Sequence, residues 1–366
     1  MRQRARHVHD KLHAIAALSL AALLLCHASR ATAGDRSAAL FAAVKKGNLA
    51  AVTRLLEAGM DPNARDAEGL TALHPAAALN RLEIARALIA KGADVNAGDS
   101  RRSQTPLHGA AAHGHVDMAA LLLGNGAKVN AKDEPRQTPL HRAAVHNQVE
   151  MIDFLVGHGA DVHARERRRG WTPLFSAAGK GHRKAVEALL RHSADVEAKS
   201  KTGRRPLHVA AGMGRAGVVR LLIAKGADID ARSNNSSTPL HTALEAWKED
   251  VALLLIEQGA DVNAAGDEGS APLHLAVARG QVKVVAHLIA KGADPDTAMN
   301  LGTTPLHLTV LHDQPEIAEM LIAEGADVNI KCHDGRTPLD WARAEGCHDI
   351  AELLRAHGGK PGRRVD

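Results

Sequence analysis

Apolar positions recur with helical spacing in paired stretches along most of the chain. A typical pair is the Ala-rich stretch from Gly109 to His113, followed after Gly114 by the Leu- and Met-rich stretch from Val116 to Leu123. Apolar residues at this spacing form one face of an amphipathic helix, and glycine is common where a helix ends. The pattern therefore predicts two short helices joined by a tight turn.

This pair recurs at a nearly constant period. The tetrapeptide Thr-Pro-Leu-His, or a close variant, begins at Thr71, Thr105, Thr138, Thr172, Arg205, Thr238, Ala271, Thr304 and Thr337. The steps between copies are 34, 33, 34 and then five times 33 residues. Threonine can cap a helix, and proline fits its first turn, where no N–H donor is needed. One such unit cannot bury its apolar face alone, so neighbouring units must stack.

The repeated motifs resemble those of the ankyrin-repeat family. Most units also carry Gly-Ala-Asp-Val-Asn or a variant, as at residues 92–96, 259–263 and 325–329. An earlier unit at 38–63 has the helical pattern but lacks the tetrapeptide. The resemblance covers about residues 35–358. It implies an all-α solenoid of ten stacked helix-turn-helix units, caps included, with short hairpins or turns along one edge.

The amino terminus has the pattern of a secretory signal peptide. Residues 1–13 are basic, Ala14 to Leu25 is apolar apart from Ser19, and Ala31-Thr32-Ala33 offers a small-x-small cleavage site. The apolar stretch is too short to span a membrane as a helix. We expect cleavage after Ala33 and an exported bacterial protein that is periplasmic or secreted. The alternatives are an uncleaved anchor or an amphipathic helix of the first repeat.

The chain is therefore expected to have five parts. They are a signal peptide at 1–33, an N-terminal capping repeat at 35–65, ankyrin repeats over 66–336, a C-terminal capping repeat at 337–358 and a flexible tail at 359–366.

The charge distribution bears on the class of partner. The whole chain carries +5, but residues 34–366 contain 41 basic and 40 acidic side chains, which disfavours a general nucleic-acid binder. The two signs are also segregated. Residues 99–205 hold 18 basic and 11 acidic side chains, whereas residues 206–366 hold 15 and 22. Head-to-tail association of two copies is one consequence that this polarity permits.

The sequence does not contain the common motifs of catalysis or metal binding. It has no Gly-x-Ser-x-Gly elbow, phosphate-binding loop, His-Glu-x-x-His or paired-Cys signature, so we expect no enzyme activity and no cofactor. Seven of the 23 histidines belong to the tetrapeptide, and their recurrence indicates that they orient the backbone between repeats. Other histidines form columns on neighbouring repeats, roughly 8–10 Å apart, which is too far to share one zinc ion.

Binding specificity is expected where the repeats differ. In the family, the partner is held by the loop tips before Thr-Pro, here called fingers, and by an exposed column on the first helices. The middle fingers are basic, and two of them are one residue longer than the rest. The candidate partner-binding residues are Arg101, Arg102, Arg136, Arg167, Arg168, Arg169, Trp171, Lys201 and Arg204 on fingers, and His113, His146, Lys180 and Met213 on helices. Arginine and tryptophan often dominate binding energy, although such charges can also serve solubility alone.

Four repeats replace the glycine of the turn between their two helices, with Asn80, Asn147, Trp247 and Asp313. The sequence leaves open whether Trp247 packs against a neighbouring repeat or is exposed.

These observations favour a non-enzymatic scaffold that presents a rigid concave surface and basic hairpin tips to a protein partner. A secreted effector that engages a host protein is the alternative biology. The basic tips suit an acidic protein surface, a nucleic-acid or lipid phosphate, or the acidic end of a second copy. Nucleic acid is the weaker option because the net charge of residues 34–366 is close to zero.

Overall fold

The computed structural model describes residues 33–362, and this part of the chain is helical. The chain divides into two compact units, residues 1–134 and 135–366. The first unit contains α1 (Ala33–Lys46), α2 (Leu49–Glu57), α3 (Leu73–Ala78), α4 (Leu82–Ala90), α5 (Pro106–His113) and α6 (Val116–Gly124).

The second unit contains the remaining helices. They are α7 (Pro139–Val145), α8 (Val149–Gly157), α9 (Pro173–Lys180), α10 (Arg183–Arg191), α11 (Pro206–Gly212), α12 (Ala216–Ala224), α13 (Pro239–Glu245), α14 (Glu249–Glu257), α15 (Pro272–Ala278), α16 (Val282–Ala290), α17 (Pro305–Leu311), α18 (Pro315–Ala323), α19 (Pro338–Glu345) and α20 (His348–Ala356). A 3-10 turn, Asp267–Gly269, precedes α15. Ten helix pairs between residues 33 and 362 confirm the predicted all-α repeat fold.

The predicted signal peptide, residues 1–33, lies outside the described residues except for Ala33, where α1 begins. Among the helices of residues 33–362, none is both long and apolar enough to cross a bilayer.

The repeat at Thr105 shows how the local sequence produces one helix pair. Thr105 is extended (φ −90°, ψ 164°) and caps α5, and Pro106 takes the first helical position. Gly114 ends α5 in the left-handed conformation at φ +74°. The chain then enters α6, which buries Met118 and Leu122. Burial of each such side chain stabilises the fold by roughly 1.5–3 kcal/mol.

Within each unit the first helices pack against the first helices of neighbouring repeats, and the second helices against second helices. Examples are α3 against α5 in the first unit and α11 against α13 in the second. Fully buried alanines, such as Ala143 and Ala144 in α7, let the short helices approach closely.

The tetrapeptide histidine joins its own repeat to the next one. In the repeat of α11, Nδ1 of His208 accepts the backbone N–H of Arg205 at 3.2 Å. Because Nδ1 accepts, the ring proton lies on Nε2, which donates to the Ser237 carbonyl of the next repeat at 2.9 Å. We call this pair of contacts the histidine bridge. It satisfies a helix N-terminus and an adjacent finger with one buried neutral ring.

The same bridge occurs along both units. The Nε2 atoms lie 2.9–3.4 Å from a carbonyl of the following finger in the bridges of His74, His141, His241, His274 and His307. Burial lowers the pKa of His208 and of His274 to about 4. Burial also lowers the pKa values of His74, His241 and His307. These five rings are therefore neutral at physiological pH.

Two repeats place another residue at the histidine position. Phe175 stands there in α9 and is fully buried. Asp340 stands there in α19, where its Oδ2 accepts the Thr337 N–H at 3.1 Å and the Gly362 N–H at 2.6 Å. Burial opposes ionisation of Asp340, but these N–H donors outweigh it and lower its pKa.

The beginning of the segment expected to form a flexible tail makes hydrogen bonds to the last repeat. Besides the contact of Gly362 with Asp340, the Lys360 N–H donates to Asn329 Oδ1 at 2.7 Å, and Thr337 Oγ1 donates to the Lys360 carbonyl at 2.9 Å. Residues 360–362 therefore cover the finger end of α19.

The turn between the two helices of a repeat requires positive φ. Glycine usually supplies it, but Asn80, Asn147, Trp247 and Asp313 adopt φ between 48° and 58°. A bulky residue in this conformation costs about 1–3 kcal/mol, and Asn and Asp tolerate it best. Trp247 is 59% exposed, so burial of its ring does not offset the cost.

The histidine bridges predict a specific dependence of stability on pH. Well above pH 6.5 the rings are neutral in both the folded and the unfolded state. As the pH falls from 6.5 towards 4, the unfolded chain takes up protons that the folded chain refuses, so the free energy of unfolding falls. Each of His208 and His274 should lower the free energy of unfolding by about 2 kcal/mol at pH 5 relative to neutral pH. Urea unfolding at pH 7 and pH 5 measures this loss.

The matched variants are His208→Gln and His287→Gln. His287 is exposed and binds only a carbonyl of its own helix, Lys283, at 2.8 Å. His208→Gln should be less stable at pH 7 and should lose less stability between pH 7 and pH 5, whereas His287→Gln should behave as the wild type. An unchanged pH dependence in His208→Gln would contradict the bridge.

Candidate protein-binding groove

A groove of about 840 Å³ opens in the second unit between fingers and first helices. We call it the finger groove. Its finger side is formed by Arg168, Arg169 and Trp171 of one finger, Lys201 and Arg204 of the next, and Asn234 and Asn235 of a third. Its helix side is formed by His208, Val209 and Met213 near α11 and by Thr242, Glu245 and Ala246 near α13.

The first of these fingers is built around a buried carboxylate. Glu166 is 7% exposed, and its two oxygens accept the backbone N–H groups of Arg168 (2.8 Å), Arg169 and Trp171 (3.2 Å). The positive φ of Gly170 (+71°) turns the chain back towards α9. One side chain therefore holds the longer finger that carries three consecutive arginines.

The charge of Glu166 is maintained by these donors. Burial alone would raise the pKa of the carboxyl group. The N–H groups of Arg168, Arg169 and Trp171 outweigh burial, so the pKa is lowered. The carboxylate therefore remains ionised at neutral pH and favours the folded finger.

Trp171 connects the finger to the core. Its ring stacks on Phe175, with centroids 5.9 Å apart and an interplanar angle of 11°. Phe175 packs in turn with Ala198 and Val209. The Arg169 guanidinium lies 4.6 Å from the Trp171 ring centroid, which is within the range of a cation–π contact. The indole is thus half-buried and forms an apolar part of the groove wall.

Hydrogen bonds to backbone carbonyls join the neighbouring fingers. The Lys201 N–H donates to the Arg169 carbonyl at 2.9 Å, and Lys201 Nζ donates to the Arg167 carbonyl at 2.5 Å. The Asn234 N–H donates to the Thr202 carbonyl at 3.0 Å. Three fingers are therefore fixed to one another before any partner binds, which lowers the entropic cost of association.

The helix side of the groove includes apolar side chains. Val209 is buried, and Met213, the residue that follows α11, is 49% exposed. Both ring nitrogens of His208 are already hydrogen-bonded in its bridge. Four cationic side chains, those of Arg168, Arg169, Lys201 and Arg204, line the groove, against one carboxylate, that of Glu245. The groove therefore combines a basic finger side with apolar side chains at Trp171, Val209 and Met213.

The structure brings six of the thirteen predicted site residues together in the groove: Arg168, Arg169, Trp171, Lys201, Arg204 and Met213. Arg136, His146, Arg167 and Lys180 belong to the same unit but do not line it.

The other three candidates, Arg101, Arg102 and His113, belong to residues 1–134. Arg101 forms an ion pair with Glu68 at 3.1 Å. His113 stacks on His115, with ring centroids 5.8 Å apart.

Several groups of the site were not among the predicted residues. Phe175 was visible as the departure from the tetrapeptide histidine, but its stacking partner was not. The sequence does not indicate that Glu166 is buried, because a glutamate beside three arginines is typical of a solvated surface. Val209 and Thr242 looked like ordinary helix positions, and only the stacking of repeats brings them to the groove.

Comparison with known families identifies the repeats. A family model described as ankyrin repeats (3 copies) matches residues 12–99, 97–166, 163–233, 226–299 and 273–364. Together these matches span nearly the whole chain.

Two curated proteins share a shorter segment with this chain. They are the mitochondrial disaggregases of Homo sapiens and Bos taurus, each 40% identical over 81 residues. The shared segment is 22% of this chain and only 12% of each relative. The similarity therefore concerns a small part of those proteins.

The Glu166 contacts predict the behaviour of a finger variant. Glu166→Gln keeps one acceptor oxygen but loses the charge and the second oxygen, which weakens bonds worth roughly 1.5–3 kcal/mol each. We expect trypsin to cleave the folded Glu166→Gln variant after Arg167, Arg168 or Arg169 at least about tenfold faster than it cleaves the folded wild type. Low pH should also destabilise the finger. The stabilisation from Glu166 is complete above its unfolded pKa of 4.5 and is lost as the pH falls through the lower folded value.

The control is Glu187→Gln, which removes an exposed carboxylate from α10. Mass spectrometry of the first tryptic fragments distinguishes the sites of cleavage. Equal rates of cleavage at the finger in both variants would show that Glu166 does not hold it.

Proposed function

The chain belongs to the ankyrin-repeat family, and from this premise we propose that it is a binding scaffold whose finger groove holds a segment of a protein partner. The observation that carries the proposal is the groove itself. It joins exposed arginines and a half-buried tryptophan, on fingers that are already fixed to one another, with an exposed methionine at the end of α11. Arginine, tryptophan and methionine are enriched in protein interfaces.

The charges of the groove favour an acidic partner. Arg168, Lys201 and Arg204 approach from the fingers, and Glu245 is the single carboxylate on the helix side. Carboxylates of a partner would form charge-assisted hydrogen bonds with these groups, and the cations would accelerate encounter. Binding by preorganised fingers requires no catalytic step, and we propose that the chain is not an enzyme.

The amino-terminal pattern supports export. Basic residues, an apolar stretch and Ala31-Thr32-Ala33 follow in the order of a signal peptide. We propose that the scaffold acts in the periplasm or outside the cell, and that engagement of a host protein is the alternative use of the same groove. Alkaline phosphatase fused after Ala33 should become active in a bacterial host. An inactive fusion, made in normal amounts, would contradict export.

The groove predicts the effect of removing two charges from the fingers. Arg168→Gln combined with Arg204→Gln neutralises two lining cations and leaves Glu166, Trp171 and Lys201 in place. We expect this double variant to lose at least about tenfold in affinity for a partner captured from cell extract by the wild type. Quantitative mass spectrometry identifies the partner, and titration calorimetry then measures Kd.

The matched control is Arg183→Gln with Lys184→Gln, an identical charge change on exposed residues of α10. Melting temperatures of both double variants should equal that of the wild type. The proposal is wrong if the groove variant keeps the wild-type affinity, or if the α10 control loses as much.

A further inference from the structure

An exposed tryptophan lies beside the helix end of the finger groove. Trp247 follows Ala246, which lines the groove, and is 59% exposed. The preceding first helix contributes the exposed Met213 to the same end of the groove. An apolar surface therefore continues outward from the groove at this point.

Folding does not account for the presence of tryptophan at this position. The backbone of Trp247 has φ +58°, a conformation that favours glycine. The corresponding residues of the neighbouring repeats are Gly214 and Gly280, with φ +69° and +64°. A large ring is thus kept in an unfavourable backbone conformation while most of its surface remains in water. Strain without compensation by burial is typical of residues used in binding.

An arginine of the next repeat contacts the ring. The Arg279 guanidinium of the next repeat lies 5.3 Å from the ring centroid of Trp247. Arg279 itself is exposed at the end of α15. This contact covers part of the indole and places a positive charge beside it.

We propose that Trp247, with Arg279 beside it, forms a second contact for the segment held in the finger groove, and that this segment is acidic at one end and apolar at the other. This inference rests on the proposed function. Carboxylates of the segment would contact Arg168 and Arg204, and an apolar side chain would pack on Trp247. Along the stack, Arg168 and Arg204 lie two repeats and one repeat before Trp247, so the longer separation is about 20 Å for packed helices. An extended chain covers this distance with about six residues.

Two synthetic peptides test the proposal with the full-length protein. The first carries four Asp and Glu residues, a five-residue Gly/Ser spacer and a phenylalanine. The second has serine in place of phenylalanine, and each is also made in reverse order, because the direction of binding is open. Fluorescence anisotropy should show that phenylalanine improves Kd at least about tenfold in one of the two orders.

The matched variant is Trp247→Gly, which supplies the residue that the backbone favours and should fold at least as well as the wild type. It should bind both peptides with the affinity that the wild type shows for the serine peptide. Arg168→Gln with Arg204→Gln should weaken both peptides.

The outcomes separate this inference from the proposed function. If the groove variant loses both peptides but phenylalanine gives no advantage, the inference is wrong and the groove proposal stands. If the wild type binds neither peptide, an acidic segment is the wrong partner, and both the groove proposal and this inference fail. If sedimentation shows that the wild type self-associates and Trp247→Gly does not, the occupant is a second copy and the inference is overturned.

Discussion

The histidine bridge is the contact on which the rest of the fold depends. A short helix has few internal hydrogen bonds, and its first N–H groups have no acceptor within the helix. The tetrapeptide histidine accepts one of them through Nδ1 and uses Nε2 to hold the following finger. Each bridge therefore sets the position of one finger relative to the helix before it. Fingers fixed in this way can present side chains without further ordering when a partner arrives.

The finger groove lies where this pattern changes. Phe175 takes the place of a bridging histidine and packs with Ala198, which precedes the next finger, and with Val209 of the next first helix. It also stacks on Trp171 at the end of its own finger. The longer finger before it is held by Glu166 in addition to the bridge from His141. The two changes together expose an aromatic face beside a row of arginines. The binding surface thus arises from local departures from the repeat, while the unchanged repeats around it supply the framework.

The sequence was sufficient for the fold because the same pattern occurs in nearly every unit. Helix ends at Thr105 and Gly114 follow from backbone preferences of single residues, and the 33-residue period requires stacking. The site was only partly predictable. Arg168, Lys201 and Arg204 stood out by charge, but their convergence depends on how fingers pair. The exposure of Trp247 could not be read from the sequence, because a tryptophan in a repeat is as compatible with packing as with exposure. The roles of Arg136 and Lys180 remain predictions.

The most direct test of the account is site-specific photocrosslinking. A benzophenone amino acid is placed at Met213 in the groove wall or, for comparison, at Lys184 on α10, and each protein is irradiated in cell extract. A protein adduct formed from position 213 and absent from position 184 is the predicted result, since the groove is held to be the site where a partner chain lies. Adducts of equal yield from both positions, or from position 184 alone, would contradict the account.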